Sequence, residues 1–185
     1  MQKLIFTPTP LSEAYLVHSK SFEDERGSFS RVFCIEEFFD IFKGNIAQIN
    51  HSVTLTKGSL RGMHFQYPPH AEAKMVKCIK GSVYDVIVDI RQNSPTFLQW
   101  FGTTLSANNQ SMIYIPEGFA HGFQTLEDHT ELLYLHSKVY TPEYEGALNS
   151  FDETLNINWP LPISNISEKD RAHPMIQKDF KGVIV

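Results

Sequence analysis

The stretch Ser59-Leu60-Arg61-Gly62-Met63-His64-Phe65-Gln66 places a cation, a histidine and an amide within a run of small and apolar residues. Its length and composition predict a β-strand, in which side chains two positions apart share a face. The alternation predicts one face with Leu60, Gly62, His64 and Gln66, and an opposite face with Arg61, Met63 and Phe65. A histidine that faces inward beside a glycine has room for a ligand. An isolated histidine is more often a core residue with satisfied hydrogen bonds, so the choice depends on the residues around His64.

Length, charge and composition limit the class of protein. The 185 residues, 42% of them apolar, predict one domain with one substantial core. A formal net charge of -5 argues against nucleic acid or an anionic membrane surface as a partner. No apolar run reaches the roughly 18 residues of a membrane span, and no signal peptide is recognisable, so we expect a cytoplasmic protein. Cys34 and Cys78 lie in apolar contexts, which favours free thiols over a disulfide.

Short apolar stretches alternate with turn signals along the chain, which is typical of an antiparallel barrel or sandwich. Strands are predicted within 11–20, after Gly27, and within 46–56, 59–66, 74–79, 82–91, 98–105, 112–115, 119–123 and 131–137. The Lys80-Gly81 pair predicts a hairpin between 74–79 and 82–91. Residues 35–42 predict a short helix that Gly44 ends. The tail from Thr141 is expected to wrap the sheet surface, with a capped turn or helix start at 167–170.

Polar side chains at alternate positions mark candidate site strands. Gln48, Asn50 and Ser52 share one face, which is either solvated or part of a polar cavity. In 82–91, Asp85 and Asp89 alternate on the face opposite an apolar one, so that face can line a site. Tyr134 shares a face with His136, although a tyrosine there is more often a core residue than a proton donor.

The segment Pro116-Glu117-Gly118-Phe119-Ala120-His121 resembles the second half of the bipartite cupin signature, which supplies a metal-binding histidine. The first half normally carries two nearby histidines and a glutamate, whereas this chain offers His64 and then His70 in a proline loop. A first-row metal needs three or four ligands. The prediction is therefore an all-β cupin-type double-stranded β-helix (jelly roll) with short peripheral helices and no metal. It spans 1–185 as a single domain with N-terminal strands and a C-terminal wrapping segment.

Ordered segments along nearly the whole chain carry a closer resemblance. They are Asp24-Glu25-Arg26-Gly27, Gln48-x-Asn50-x-Ser52, 60–66, Lys74-Met75-Val76-Lys77-Cys78, 85–96, 115–123, Leu133-Tyr134, Asn158-Trp159-Pro160 and Ser167-x-Lys169-Asp170. Together they resemble the dTDP-4-dehydrorhamnose 3,5-epimerase family. The resemblance implies an isomerase that converts dTDP-4-dehydro-6-deoxyglucose to dTDP-4-dehydrorhamnose, for cell-surface polysaccharides such as lipopolysaccharide O-antigen. It also implies a homodimer of jelly rolls that needs no cofactor.

The resemblance assigns roles to individual residues. His64 matches the catalytic base, Asp170 its carboxylate partner and Tyr134 the proton donor on the opposite face, while Lys74 is expected near the ketone oxygen. Positions that match contacts to the nucleotide sugar are Arg26, Gln48, Asn50, Arg61, His121, Glu145 and Lys169. Taken alone, Arg26 reads more simply as a solvated turn residue.

The chemistry supports these residue types independently. A carbon beside a ketone loses its proton when a base is positioned and the enolate charge is stabilised. Imidazole titrates near neutral pH, and a buried carboxylate can orient it. Inversion requires a proton from the other face, which a phenol can supply. Guanidinium groups match the geometry of a diphosphate.

Three departures from the family pattern concern specificity more than reaction type: Arg31, Leu135 and Ala147-Leu148-Asn149. They leave open an epimerase that acts at C3 or C5 alone, or on another nucleotide sugar such as a CDP-linked one.

Two alternative functions come from other classes of protein. A metal-dependent cupin oxygenase would bind a metal through His64 and His121, and a non-catalytic sugar-nucleotide binding module would have no use for His64 and Asp170 facing Tyr134.

Overall fold

The computed structural model describes residues 4–42 and 45–185, and its regular structure is almost entirely β. The strands are β1 (Leu4–Pro8), β2 (Tyr15–Ser19), β3 (Phe22–Asp24), β4 (Gly27–Phe29), β5 (Gln48–Thr54), β6 (Ser59–Gln66), β7 (Lys74–Lys80), β8 (Ser82–Asp89), β9 (Trp100–Ser106), β10 (Ser111–Ile115), β11 (Phe119–Thr125), β12 (Thr130–His136), β13 (Glu145–Ala147) and β14 (Asn165–Ile166). A 3₁₀ turn (Pro142–Tyr144) and the helix α1 (Glu168–Arg171) are the helical elements of the described residues. The predicted strands are confirmed within a few residues, and the sequence did not predict the four short strands β1, β3, β13 and β14.

Two sheets face each other across one core. The first has the order β1-β2-β10-β7-β12-β5, and the second has the order β13-β6-β11-β8-β9 with β14 beside β6. The core between them takes Val76, Ile113 and Leu132 from the first sheet, and Ile87 and Phe123 from the second. Alternate residues of each strand point into this layer, as the period of a β-strand requires. The predicted jelly-roll fold is confirmed.

The hairpin predicted at Lys80-Gly81 is wrong. Strand β7 pairs with β10 and β12, whereas β8 pairs with β9 and β11, so the chain passes from one sheet to the other at this turn. Gly81 has φ +72°, and a Cβ there would lie 2.6 Å from Thr130 Oγ1. A tight turn signal fixes the local backbone, but the strands on either side pair with whichever neighbours bury more apolar surface.

The helix predicted for residues 35–42 is also wrong, because this segment forms a succession of turns. Phe42 N–H donates to the Phe38 carbonyl at 2.8 Å, but no continuous helical ladder follows. Phe38 and Phe42 instead pack against Phe33 and against Tyr114 of β10. A helix this short has little intrinsic stability, so aromatic packing decides the conformation. Gly44, the predicted helix end, lies outside the described residues.

The C-terminal tail covers the outer face of the second sheet, as predicted. Leu148, Leu155 and Trp159 pack on a cluster that includes Met63 and Val86. The capped turn expected at Ser167 is confirmed, since the Ser167 side chain accepts a hydrogen bond from Asp170 N–H and α1 follows. The tail thereby places Asp170 against β6, where it contacts Gly62 and His64.

Both cysteines are free, as expected. Within residues 4–42 and 45–185, no helical segment has the length and apolar character that a membrane crossing needs.

Candidate active site

A cavity of about 540 Å³ lies between the two sheets, which is a size suited to a small-molecule ligand. Strands β5, β7 and β12 form one wall, and β6 and β11 form the other. Eight of the residues predicted to be functional line it: Gln48, Asn50, Arg61, His64, Lys74, His121, Tyr134 and Glu145. The alternating polar residues of β5 therefore face a polar cavity, which alternation alone left undecided.

A β-bulge brings Arg61 and His64 to the same cavity, although the strand alternation predicted opposite faces. His64 is opposite His121 of β11, and Arg61 is opposite Phe123, so a three-residue step on β6 faces a two-residue step on β11. One extra residue reverses the alternation beyond it. A guanidinium and an imidazole thus share one wall.

His64 is hydrogen bonded to a buried carboxylate. Its Nε2 lies 2.8 Å from Asp170 Oδ1, while Asp170 Oδ2 accepts the Gly62 N–H at 3.3 Å. Burial by itself raises the pKa of Asp170, but the hydrogen bond and the charge of His64 outweigh it and bring that pKa below its usual value. An ionised Asp170 favours the proton of neutral His64 on Nε2, which leaves the Nδ1 lone pair to accept a proton from a ligand.

Tyr134 reaches the cavity from the facing sheet. Its hydroxyl lies 3.1 Å from Ser52 Oγ, and its ring packs edge-on against His121 and stacks with His136. Burial raises the pKa of Tyr134 above that of a free phenol. The group therefore stays protonated at neutral pH and can act as an acid.

Lys74 belongs to a charged network at the cavity wall. Its Nζ lies 3.1 Å from Glu72 Oε1, and His136 Nδ1 lies 2.8 Å from Glu72 Oε2. Burial raises the pKa of Glu72, but the hydrogen bond from His136 and the charge of Lys74 overcome that effect and leave the pKa below its usual value. Glu72 therefore holds the ammonium group in place.

The predicted binding residue His121 has a carboxylate of its own. His121 Nε2 lies 2.9 Å from Asp85 Oδ2, and both side chains are buried. Sequence reasoning predicted that the Asp85 face of β8 can line a site, but it did not name this pair. The imidazole is held with its ring beside Tyr134.

The sequence profile described as dTDP-4-dehydrorhamnose 3,5-epimerase matches residues 8–178. The chain is 41% identical over 178 residues to the enzyme of that name from Salmonella typhimurium, covering 95% of this chain and 97% of the relative. The chain belongs to the dTDP-4-dehydrorhamnose 3,5-epimerase family.

Two solved structures of epimerases have a fold similar to that of this chain. A dTDP-6-deoxy-D-glucose-3,5-epimerase from Legionella pneumophila in complex with dTDP-4-keto-L-rhamnose superposes with a TM-score of 0.88 and 36% identity, covering 93% of this chain and 92% of that one. A 3'-monoepimerase from Streptomyces bikiniensis in complex with dTDP-quinovose gives 0.84 and 33%, covering 91% and 86%. Members with this fold therefore include double and single epimerases.

The remaining residues matched to the 3,5-epimerase family lie partly outside the main cavity. Lys169 and Asp170 line an adjoining cavity of about 620 Å³ together with Arg61, His64 and Glu145. Glu145 Oε2 lies 2.5 Å from Lys169 Nζ and 3.0 Å from the Tyr140 hydroxyl. Burial raises the pKa of Glu145, but these contacts with Lys169 and Tyr140 bring it below its usual value.

Arg26 does not line either cavity. It lies at the tip of the β3–β4 hairpin and pairs with Asp24 at 2.6 Å, with 84% of its side chain exposed.

The three departures from the 3,5-epimerase family pattern have structural roles away from the main cavity. Arg31 pairs with Glu37, and Leu135 is buried in the cluster around Met75. Asn149 Nδ2 donates to the His173 carbonyl at 2.7 Å, which ties the tail beyond α1 to the preceding loop.

Sequence reasoning missed several residues of the site. Glu72, His136 and Tyr140 line the main cavity, and His173 lies 3.5 Å from Asp170 Oδ1. His136 carried a signal, because it shares a strand face with Tyr134. Glu72, Tyr140 and His173 lie in loops, where no periodicity predicts which way a side chain points.

Proposed function

We propose that this chain is an isomerase that converts dTDP-4-dehydro-6-deoxyglucose to dTDP-4-dehydrorhamnose by epimerisation at C3 and C5. One observation carries the proposal. His64 of the second sheet, which is hydrogen bonded to Asp170 of α1, and the Tyr134 phenol of the first sheet line the same cavity. An imidazole and a phenol on facing walls are what inversion beside a ketone requires.

His64 acts as the general base. It takes the proton from the carbon next to the C4 ketone through Nδ1, and Asp170 supports the imidazolium that forms. The electrons of the broken C–H bond move into an enolate, whose negative oxygen Lys74 stabilises. Tyr134 then donates a proton to the opposite face of the same carbon. Because C3 and C5 both flank the ketone, the same residues serve both positions.

The nucleotide diphosphate is the proposed ligand of the cationic groups at the cavity mouth. Arg61 lines both cavities, is exposed, and uses one guanidinium nitrogen for a long contact to the Val53 carbonyl at 3.4 Å. Its remaining donors are suited to phosphate oxygens, which accept a fork of two hydrogen bonds. Lys169, which is paired with Glu145, adds further hydrogen-bond donors beside Arg61. Gln48, Asn50, His121 and Glu145 are proposed to contact the sugar nucleotide.

Proton exchange in deuterated water tests the reaction. The chain is incubated with dTDP-4-dehydro-6-deoxyglucose, and NMR follows deuterium at C3 and C5 together with the configuration of each carbon. We expect label and inversion at both. The CDP-linked sugar in a parallel reaction tests the nucleotide preference, and equal rates would contradict the dTDP assignment.

Epimerisation at one carbon is the second candidate, favoured by the likeness to the 3'-monoepimerase. The same NMR experiment decides between them. Label and inversion at C3 alone would reject double epimerisation and assign the chain to the single-position enzymes.

We further propose a homodimer that acts in the cytoplasm. Edge strand β5 and the loop after it expose Ile49, Val53 and Leu55, which are apolar residues that a second subunit would cover. The exposed β3–β4 hairpin suits an arm that carries Arg26 toward a neighbouring protomer's site. Light scattering is expected to give about twice the chain mass of 21.2 kDa, and a monomeric mass would contradict the dimer.

The proposed location in the cytoplasm is supported by the two free thiols, which fit a reducing compartment.

A further inference from the structure

The side chain of His173 lies near the candidate base, His64, and has a buried nitrogen without a hydrogen-bond partner. It follows α1, and its side chain is 15% exposed. The Nε2 atom is buried and has no hydrogen-bond partner within the usual distance. A buried polar nitrogen without a partner costs free energy, so its orientation needs a reason. The Asn149 side chain holds the His173 carbonyl at 2.7 Å, which fixes this position.

His173 faces the His64–Asp170 pair. Its Nε2 lies 3.5 Å from Asp170 Oδ1, and its ring meets the His64 ring edge-on at 5.9 Å between centroids. One ligand atom from each of the three residues lies within 4.8 Å of the other two. Two imidazoles and a carboxylate therefore converge on one point beside the cavity.

These distances are close to those of a zinc site. Tetrahedral Zn²⁺ with bonds of about 2.0–2.2 Å to nitrogen and oxygen separates its ligand atoms by about 3.4 Å. The two distances to Asp170 Oδ1, 2.8 Å from His64 and 3.5 Å from His173, bracket this value. The ligand nitrogens of His64 and His173 lie within 4.8 Å of each other. They must approach by less than about 1.5 Å to reach the separation of about 3.4 Å found in a zinc site. Two histidines with one carboxylate and an open fourth position form a known kind of zinc ligand set.

The other histidine–carboxylate pairs near the cavity are less suited to a metal. Glu72, which binds His136, is already neutralised by Lys74 at 3.1 Å. His121 and Asp85 are a pair without a third ligand close enough among the described residues. His173 is therefore the residue that completes a site.

We infer that His64, Asp170 and His173 form a Zn²⁺ site, and that zinc bound there switches off the catalytic base. The inhibitory part rests on the proposed function, whereas the binding part does not. Zinc takes the lone pair of His64 Nε2, so the ring proton of neutral His64 resides on Nδ1. The nitrogen that should accept the substrate proton then already carries one. No electron transfer or additional reactant is involved, and removal of zinc restores the base.

The test uses the full chain after treatment with EDTA and dialysis. Calorimetry measures Zn²⁺ binding, and Co²⁺ absorption provides an independent signature of nitrogen ligands in a four-coordinate site. The variants are His173→Ala and His173→Asn, so that one remains if the other fails to fold. The control is His129→Asn, because His129 is exposed and asparagine tolerates its φ of +52°.

We expect one tight zinc ion per chain, and at least about tenfold weaker binding in both His173 variants, in line with the loss of one ligand. The His129→Asn control should bind zinc like the unaltered chain. Zinc should abolish epimerisation in the unaltered chain, with recovery in EDTA. Relative to the activity that each variant has without zinc, the His173 variants should require at least about tenfold more zinc for half-maximal inhibition.

Equal zinc affinity in the unaltered chain and the His173 variants would overturn the inference, and so would a chain that retains no zinc. Inhibition that is unchanged in the variants would overturn the inhibitory part. A chain that binds zinc through His173 but epimerises neither substrate would leave the zinc site standing and reject the proposed function. A chain that epimerises without binding zinc would support the proposed function and reject the zinc site.

Discussion

In the proposed mechanism, inversion needs the hydroxyl of Tyr134, whereas proton removal does not. In Tyr134→Phe the ring keeps its packing against His121 and His136, and His64 can still take the substrate proton. The enolate can then recover a proton only from the side of His64. We expect epimer formation to fall by roughly 10²- to 10⁴-fold while deuterium still enters the substrate with retained configuration. NMR in deuterated water measures both quantities.

His64→Asn is the control for this experiment, since it should lose deuterium entry together with inversion. Full epimerisation by Tyr134→Phe would show that another group supplies the second proton. Because the Ser52 hydroxyl loses only one neighbour, Tyr134→Phe should lower the free energy of unfolding by about 1 kcal/mol, which separates a chemical defect from a folding defect.

Individual site residues differ in how far the sequence could place them. Tyr134 and the polar residues of β5 could be assigned to a face, because a strand alternates with period two. Arg61 could not, because the bulge opposite His121 and Phe123 inserts one residue into that alternation. His173 and Glu72 lie in loops, and only packing of those loops against the sheets brings them to the site.

At the scale of elements, the Gly81 turn carries the chain from β7 in the first sheet to β8 in the second. Gly81→Ala places a Cβ against Thr130 in a backbone conformation that favours glycine. We expect the free energy of unfolding to fall by about 1–3 kcal/mol, measured by urea titration. Gly27→Ala shows the effect of backbone strain without a close contact, because Gly27 has φ +132° and a Cβ there contacts nothing within 4 Å. A loss below about 1 kcal/mol in Gly81→Ala would mean that the contact with Thr130 contributes nothing.

The end of strand β8 is held by a buried charge. Asp89 accepts hydrogen bonds from Arg91, Ser94 and Thr96, and its side chain is fully buried. Burial raises the pKa of Asp89, but these hydrogen bonds outweigh it, so the pKa in the folded protein lies below the usual value. The stabilisation is therefore present above the unfolded pKa of about 4 and is lost as the pH falls through the lower folded value.

We expect Asp89→Asn to lower the free energy of unfolding by about 3 kcal/mol at pH 7, because Arg91 loses its buried partner. The difference from the unaltered chain should shrink as the pH falls below about 4. Urea titrations at several pH values measure this. Asp24→Asn, at the exposed pair with Arg26, should change little at any pH. A constant Asp89→Asn effect across the pH range would contradict a role for the carboxylate charge.

At the scale of the molecule, we propose that residues 1–185 unfold as one domain. The two sheets share the core around Ile87 and Leu132, and the tail packs on the outer face of β6 and β8. Trp100 and Trp159 both lie in that outer layer, so tryptophan fluorescence reports the tail and far-UV circular dichroism reports both sheets. We expect the two urea transitions to coincide at a fixed protein concentration. An earlier fluorescence transition would show that the tail unfolds separately.

The sequence by itself determined the all-β class, most strand positions, the free cysteines and the family, because hydrophobic periodicity, turn residues and ordered motifs are local properties of a chain. Tertiary structure alone decided that β7 and β8 separate, that residues 35–42 form turns, that Arg61 shares a wall with His64, and that His173 meets Asp170. Each of these depends on which distant surfaces bury one another. That choice minimises exposed apolar area and unpaired polar groups over the whole molecule, and no short stretch of sequence contains it.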